Sequence, residues 1–150
     1  MNVHLDQIKK LRFQTKAGVL NCRQALQESR GDLEKAKRWL RKKGMATVAK
    51  KKDRTVKAGI VEAYIHAGKQ VGALVKLSCE TDFVSKTKEF KNLAHELAMQ
   101  VAAMNPKNIS ELLEQDSIRD SKQKVKDLVN QLIAKMAENV RIEAISRLKI

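Results

Sequence analysis

Asp82 and Phe83 are adjacent in the stretch Cys79-Glu80-Thr81-Asp82-Phe83-Val84, which follows a β-rich run from Val71 to Leu77. A carboxylate beside a large ring, just where a strand gives out, suits contact with another protein's surface. The ring supplies apolar area of the kind that dominates binding energy, and the acid acts on neighbouring polar groups. The chain has one Trp, one Tyr and three Phe in 150 residues, so an aromatic at a sheet exit needs an explanation. The competing reading is that Phe83 covers the core beneath the helix that follows, and composition by itself favours it.

No other residues suggest catalysis. His4, His66 and His95 share no local arrangement. A Gly-rich phosphate loop, a His–Cys cluster and a Ser-His-Asp order in a suitable context are all missing from the sequence. A function without covalent chemistry, cofactor or metal is expected. Cys22 falls on an apolar helical face and Cys79 at a strand end. Their spacing fits neither a metal site nor a redox pair, so both read as small buried hydrophobes in a reducing compartment.

Charge is the strongest compositional signal: 31 Lys and Arg against 17 Asp and Glu give a formal net charge of +14. Such an excess attracts polyanions, RNA included, and also speeds encounter with an acidic protein. No window approaches the ~18 consecutive apolar residues of a membrane span. The start, Met-Asn-Val-His-Leu-Asp-Gln, lacks a charged segment followed by an apolar run, so a cytoplasmic protein is expected.

The elements that must position these residues fall into two regions. Leu5, Ile8 and Leu11 recur at helical spacing up to a break at Thr15-Lys16-Ala17-Gly18. Val19, Cys22, Ala25 and Leu26 form a second stripe, closed by Arg30-Gly31. Asp32 is placed to cap a third helix lined by Leu33, Ala36 and Leu40, with Gly44 at its expected end. The spacing thus predicts a three-helix module over 1–44, a basic solvated linker over 45–57 with room for helix in its first turns, and a core domain over 58–150. In that core, Ile60–His66 and Val71–Leu77 read as a hairpin about Ala67-Gly68-Lys69-Gln70. A helix beginning near Ser85 carries Phe90, Leu93, Leu97, Val101 and Met104 and ends at Asn105-Pro106. Another has Val125, Leu128, Val129, Leu132, Ile133 and Met136 on its buried face. Val140–Leu148, with Val140, Ile142, Ala144 and Ser146 on one side, supplies the third strand that a lone hairpin needs. The fold class is α+β: a small helical bundle, then a three-stranded antiparallel sheet packed with two long helices.

Five stretches, in order and over nearly the whole chain, resemble bacterial elongation factor Ts. They are residues 11–36 (Leu-Arg-Phe-Gln-Thr-Lys-Ala-Gly-Val through Glu-Lys-Ala), Trp-Leu-Arg-Lys-Lys-Gly at 39–44, Cys-Glu-Thr-Asp-Phe-Val at 79–84, Ala-Met-Gln-Val-Ala-Ala-Met-Asn-Pro at 98–106 and Ile-Ala-Lys-Met-Ala-Glu-Asn-Val at 133–140. The resemblance implies a ubiquitin-associated-like amino-terminal bundle and a translation factor that promotes GDP release from elongation factor Tu, acting on its GDP-bound and nucleotide-free forms. Thr81, Asp82, Phe83 and Val84 align with the loop that disturbs the partner's Mg²⁺, Phe83 as a wedge and Asp82 on neighbouring polar contacts. Leu11, Arg12, Thr15, Gly18 and Val19 fall in the amino-terminal docking surface.

Departures from the family pattern are Lys16 and Ala137, each where Gly is usual. Glycine would matter at those positions if the backbone needs a positive φ. Longer members repeat the sheet-and-helix unit, whereas this chain holds one; a second copy supplying the missing half makes a homodimer the expectation. Two other functions compete. An RNA-binding or ribosome-associated module would rest on the charge and on the basic stretch Arg41–Lys57, though that stretch lacks interleaved stacking aromatics. A purely structural interaction domain would use the same elements without exchange activity.

Overall fold

The computed structural model describes residues 4–150. The chain divides into two compact units, one ending at Lys50 and one running Lys51–Ile150.

In the first unit, α1 (Leu5–Thr15), α2 (Val19–Glu28) and α3 (Leu33–Lys51) bury Ile8, Leu11, Cys22, Ala25, Leu26 and Ala36, with Leu33, Trp39 and Leu40 packed against them. The expected stripes are therefore real but shorter at their edges: Leu5 and Val19 are exposed. Lys16 ends α1 in the left-handed region at φ 56°, its N–H donating to Arg12 O. After α2 the chain turns through Arg30 and Gly31, both at positive φ, and Gly31 N–H closes on Leu26 O at 2.8 Å. Asp32 caps α3 as its position suggested, its carboxylate accepting from Lys35 N–H at 3.0 Å. The expected end at Gly44 does not occur, because α3 continues to Lys51. Met45, Ala46 and Ala49 are good helix formers, and the lysines at the end suit the negative pole of the helix dipole. One interior glycine, worth about 1 kcal/mol, is not enough to stop the helix.

The second unit is built on β1 (Ala58–Ile65), β2 (Val71–Cys79) and β3 (Val140–Lys149), antiparallel in the order β1-β2-β3. Four helices accompany the sheet: α4 (Asp82–Ser85), α5 (Lys88–Met104), α6 (Ile109–Glu114) and α7 (Val125–Met136). The chain is thus α+β, with a three-stranded sheet and two long helices in this unit, as the periodicity predicted. Thr87 caps α5 by accepting from Phe90 N–H. That helix buries Phe90, Leu93, Ala94, Leu97, Ala98 and Val101, while Ala73, Val75, Leu77 and Cys79 are buried on β2. Val140 and Ile142 line the core from β3, but Ala144 and Ser146 do not. A bulge between Lys76 and Leu77 pairs Lys76 with Ala144 and Leu77 with Ile142, leaving Glu143 extra. The extra residue moves the alternation by one, so the half-buried positions beyond it are Ile145 and Arg147. The sheet's other face leaves Val61, Ile65, Leu74 and Leu148 exposed.

Candidate functional site

β2 ends at Cys79, which pairs with Ala58 on one side and Val140 on the other. Beyond that pair the two strands remain joined by side chains. Asn139 N–H donates to Glu80 Oε1 at 2.7 Å, and Thr81 donates to Glu138 through its N–H (3.1 Å) and its hydroxyl (2.6 Å). The Asn139 amide in turn donates to Lys52 O and Arg54 O, at 3.1 and 2.7 Å.

Thr81 is followed at once by the single turn α4, where a loop leading to a helix at Ser85 was expected. Ser85 N–H bonds back to Thr81 O, Ser85 Oγ donates to Asp82 O, and Thr87 Oγ1 donates to Val84 O. Successive residues of a helical turn point about 100° apart, and this turn uses the difference. Val84 and Ser85 are buried, whereas Asp82 and Phe83 face outward. Phe83 is 85% exposed. The alternative in which it covers the core is thereby excluded, and Phe90, fully buried on α5, fills that role. Val84 offers little to a partner in this fold because its side chain is already packed inside. The Asp82 carboxylate lies 3.9 Å from Lys86 Nζ, and both groups are well exposed.

Beneath the turn, burial and the nearby Glu138 carboxylate push the Cys79 thiol up to about 11, and its Sγ sits 3.2 Å from Thr81 O. The group stays a neutral thiol at neutral pH. His66 and His95, which seemed unrelated in sequence, both approach Tyr64. Its hydroxyl lies 3.0 Å from His66 Nδ1, its ring meets His95 edge-on at 5.8 Å, and His95 Nδ1 is 3.0 Å from Glu62. Among the described residues, no group of three or more His, Cys, Asp or Glu is placed to hold a metal ion. No helix among them is long and apolar enough to cross a membrane.

In the first unit, Arg12, Gly18 and Val19 are exposed and Thr15 is half-buried, its hydroxyl donating to Leu11 O at 2.8 Å. Leu11 itself is fully buried, so its part is to pack the bundle and not to meet a partner directly. Two outward residues escaped the sequence reading. Phe13 and Leu20 are each 77% exposed, with Lys16 Nζ 4.6 Å above the Phe13 ring. The available signal was that Phe13 lies off the Ile8–Leu11 stripe, as an aromatic with no core to fill.

A sequence model described as elongation factor TS matches residues 80–150. Curated proteins named elongation factor Ts are similar to this chain over most of their length. One from Thermotoga sp. (strain RQ2) is 42% identical, with 100% of this chain and 97% of that protein aligned. One from Caldanaerobacter subterraneus subsp. tengcongensis is 40% identical, over 93% of this chain and 92% of the relative. Another, from Herpetosiphon aurantiacus, is 37% identical, over 100% and 98%. The 193 positions aligned with the Thermotoga protein exceed the 150 residues here by 43, so that relative carries internal residues without a counterpart in this chain.

Proposed function

This chain belongs to the elongation factor Ts family, and from that premise we propose that it is a translation elongation factor that drives GDP out of elongation factor Tu. The observation that carries the proposal is Phe83, 85% exposed beside the outward Asp82 on a turn fastened to the end of a sheet. A rigid ring presented outward on a fastened turn offers a partner the kind of aromatic anchor that carries much of the binding energy at interfaces.

In this reading Phe83 enters an apolar pocket between helices of the partner, while Asp82 competes for polar contacts near the Mg²⁺ site. Weakening the metal and phosphate contacts weakens GDP. The coupling is reciprocal: the factor favours the nucleotide-free partner, and nucleotide in turn expels the factor. No covalent bond is made or broken in the factor or its partner. Full burial of one Phe ring is worth about 1.5–3 kcal/mol, which is about one to two decades of rate or affinity. Larger acceleration must draw on Asp82 and on a second contact. Arg12, Thr15, Gly18 and Val19 serve that contact in the first unit, and the exposure of Phe13 and Leu20 extends it. Thr81 acts by holding the turn, and Val84 by seating it in the core.

The test is release of a fluorescent GDP analogue from elongation factor Tu, with catalytic amounts of the factor at two salt concentrations. Acceleration that drops at least tenfold in Phe83→Ala, with weaker loss of binding, is the expected outcome. A variant as active as the parent would sink the wedge. A purely structural docking domain would bind without accelerating release. The +14 charge also gives non-specific RNA affinity that falls steeply with salt. The comparison of salts separates that affinity from exchange.

A further inference from the structure

The turn that presents Phe83 is only four residues long, and an isolated turn of helix does not hold itself together in water. Its conventional support is missing. A threonine at the N-cap usually accepts a bond from an amide of the first turn, but Thr81 makes none. Instead, both of its donors, the N–H and the hydroxyl, meet the carboxylate of Glu138 at 3.1 and 2.6 Å. Bonds to an ionised acceptor are among the stronger ones available to a side chain.

Glu138 is itself fixed from both neighbours. Ala137 turns the chain out of α7 in the left-handed region, with its N–H on Ile133 O at 2.9 Å. On the other side Asn139 is buried, its amide bonded to two carbonyls and its N–H to Glu80. Each strand thus sends a carboxylate across to the other's backbone, Glu80 to Asn139 and Glu138 to Thr81. The β2–β3 ladder is prolonged by side chains to the residue just before Asp82.

We infer that Glu138 is a positioning residue for exchange: its carboxylate clamps Thr81 and so keeps Phe83 held outward before the partner arrives. The inference rests on the reading of Phe83 as the residue that enters the partner. Without the clamp the turn would have to be ordered during association, and that cost would be taken from the exchange step.

The experiment uses the full chain as parent, Glu138→Ala, Phe83→Ala and the double variant. Amide hydrogen exchange of the free proteins reports on the turn, and catalysed GDP release reports on function. Loss of the clamp should speed exchange of the Ser85 and Lys86 amides, which bond back to Thr81 O and Asp82 O, about tenfold while the α5 core amides stay protected. Release should fall about tenfold when Phe83 is present and less than about twofold when Phe83→Ala is already in place. Glu138→Gln, whose amide oxygen still accepts one bond, should fall between the two. Equal losses in both backgrounds would overturn the inference, since Glu138 would then act on the fold or through another surface. Unchanged amide exchange over the turn would overturn it as well. If Phe83→Ala alone releases GDP as fast as the parent, the exchange reading fails first. It takes the positioning role with it, even where amide exchange shows an intact clamp.

Discussion

Ala137 and Lys16 sit at φ 57° and 56°, where a side chain with a Cβ is disfavoured by roughly 1–2 kcal/mol. Both occupy positions where the family resemblance suggested glycine. Ala137→Gly should raise stability by about 0.5–1 kcal/mol, the relief of strain exceeding the added freedom of the unfolded chain. Lys16→Gly should gain less, because it also removes the contact with the Phe13 ring. Denaturation midpoints at an unchanged slope check both, and a lower midpoint for Ala137→Gly would refute the strain argument. Cys79 makes a second prediction at this scale. Its thiol, ordinarily near 9.0, is raised to about 11 in the fold. The folded state therefore binds a proton that the unfolded state gives up, and stability should fall as pH rises from about 9 to about 11. Cys79→Ser should flatten that part of the stability profile; a profile unchanged by the substitution would remove Cys79 as its cause. Residue-scale detail was only partly legible in the sequence. Phe83 and Val84 are both apolar residues just past a predicted strand, and pattern alone cannot say which face of a one-turn helix each occupies; Leu11 lay on a predicted apolar stripe, and only the resemblance set it in a docking surface. The positive φ at Ala137 and Lys16 was invisible except as a departure from a family's glycine.

Elements were easier to read than their ends. The periodicity of α5 found its buried face except at Met104, which is exposed at the helix end, and that of α7 found Val125, Val129, Leu132 and Ile133, because burial of one side against neighbouring elements enforces the repeat. β3 was found for the same reason, but its bulge was not. Nothing in Ile142-Glu143-Ala144 signals an extra residue, since the shift is imposed by the partner strand. Gly44 misled in the opposite direction, reading as a stop signal while lying inside a helix of 19 residues. Because it lies in the interior of α3, Gly44→Ala should raise stability of the first unit by about 1 kcal/mol. Helical circular dichroism during thermal unfolding tests this. A drop in midpoint would mean that the glycine serves a close approach or a bend.

Considered whole, the sheet has one face lined by helices and one that leaves Val61, Ile65, Leu74 and Leu148 in solvent. We expect two copies of the chain to cover that face mutually, which gives the homodimer suggested by the resemblance a specific surface. Leu74→Lys should shift sedimentation-equilibrium mass toward the monomer with little change in fold, as it places a charge on a surface position. A parent that stays monomeric at high concentration would dispose of the dimer.

The strand pairing has a further consequence during synthesis. β2 is the middle strand, and its second partner, β3, lies about 60 residues downstream, roughly 3–12 seconds of ribosome time at 5–20 residues per second. Through that interval the nascent hairpin shows one raw edge of β2, apolar from Val71 to Val75 and again at Leu77, to whatever else is emerging nearby. The turn bearing Phe83 is synthesised early and fastened late, because the residue that fastens it arrives only with the approach to β3. A nascent chain of this protein is therefore most adhesive in mid-translation, and a chaperone that covers strand edges would have its work concentrated in those few seconds.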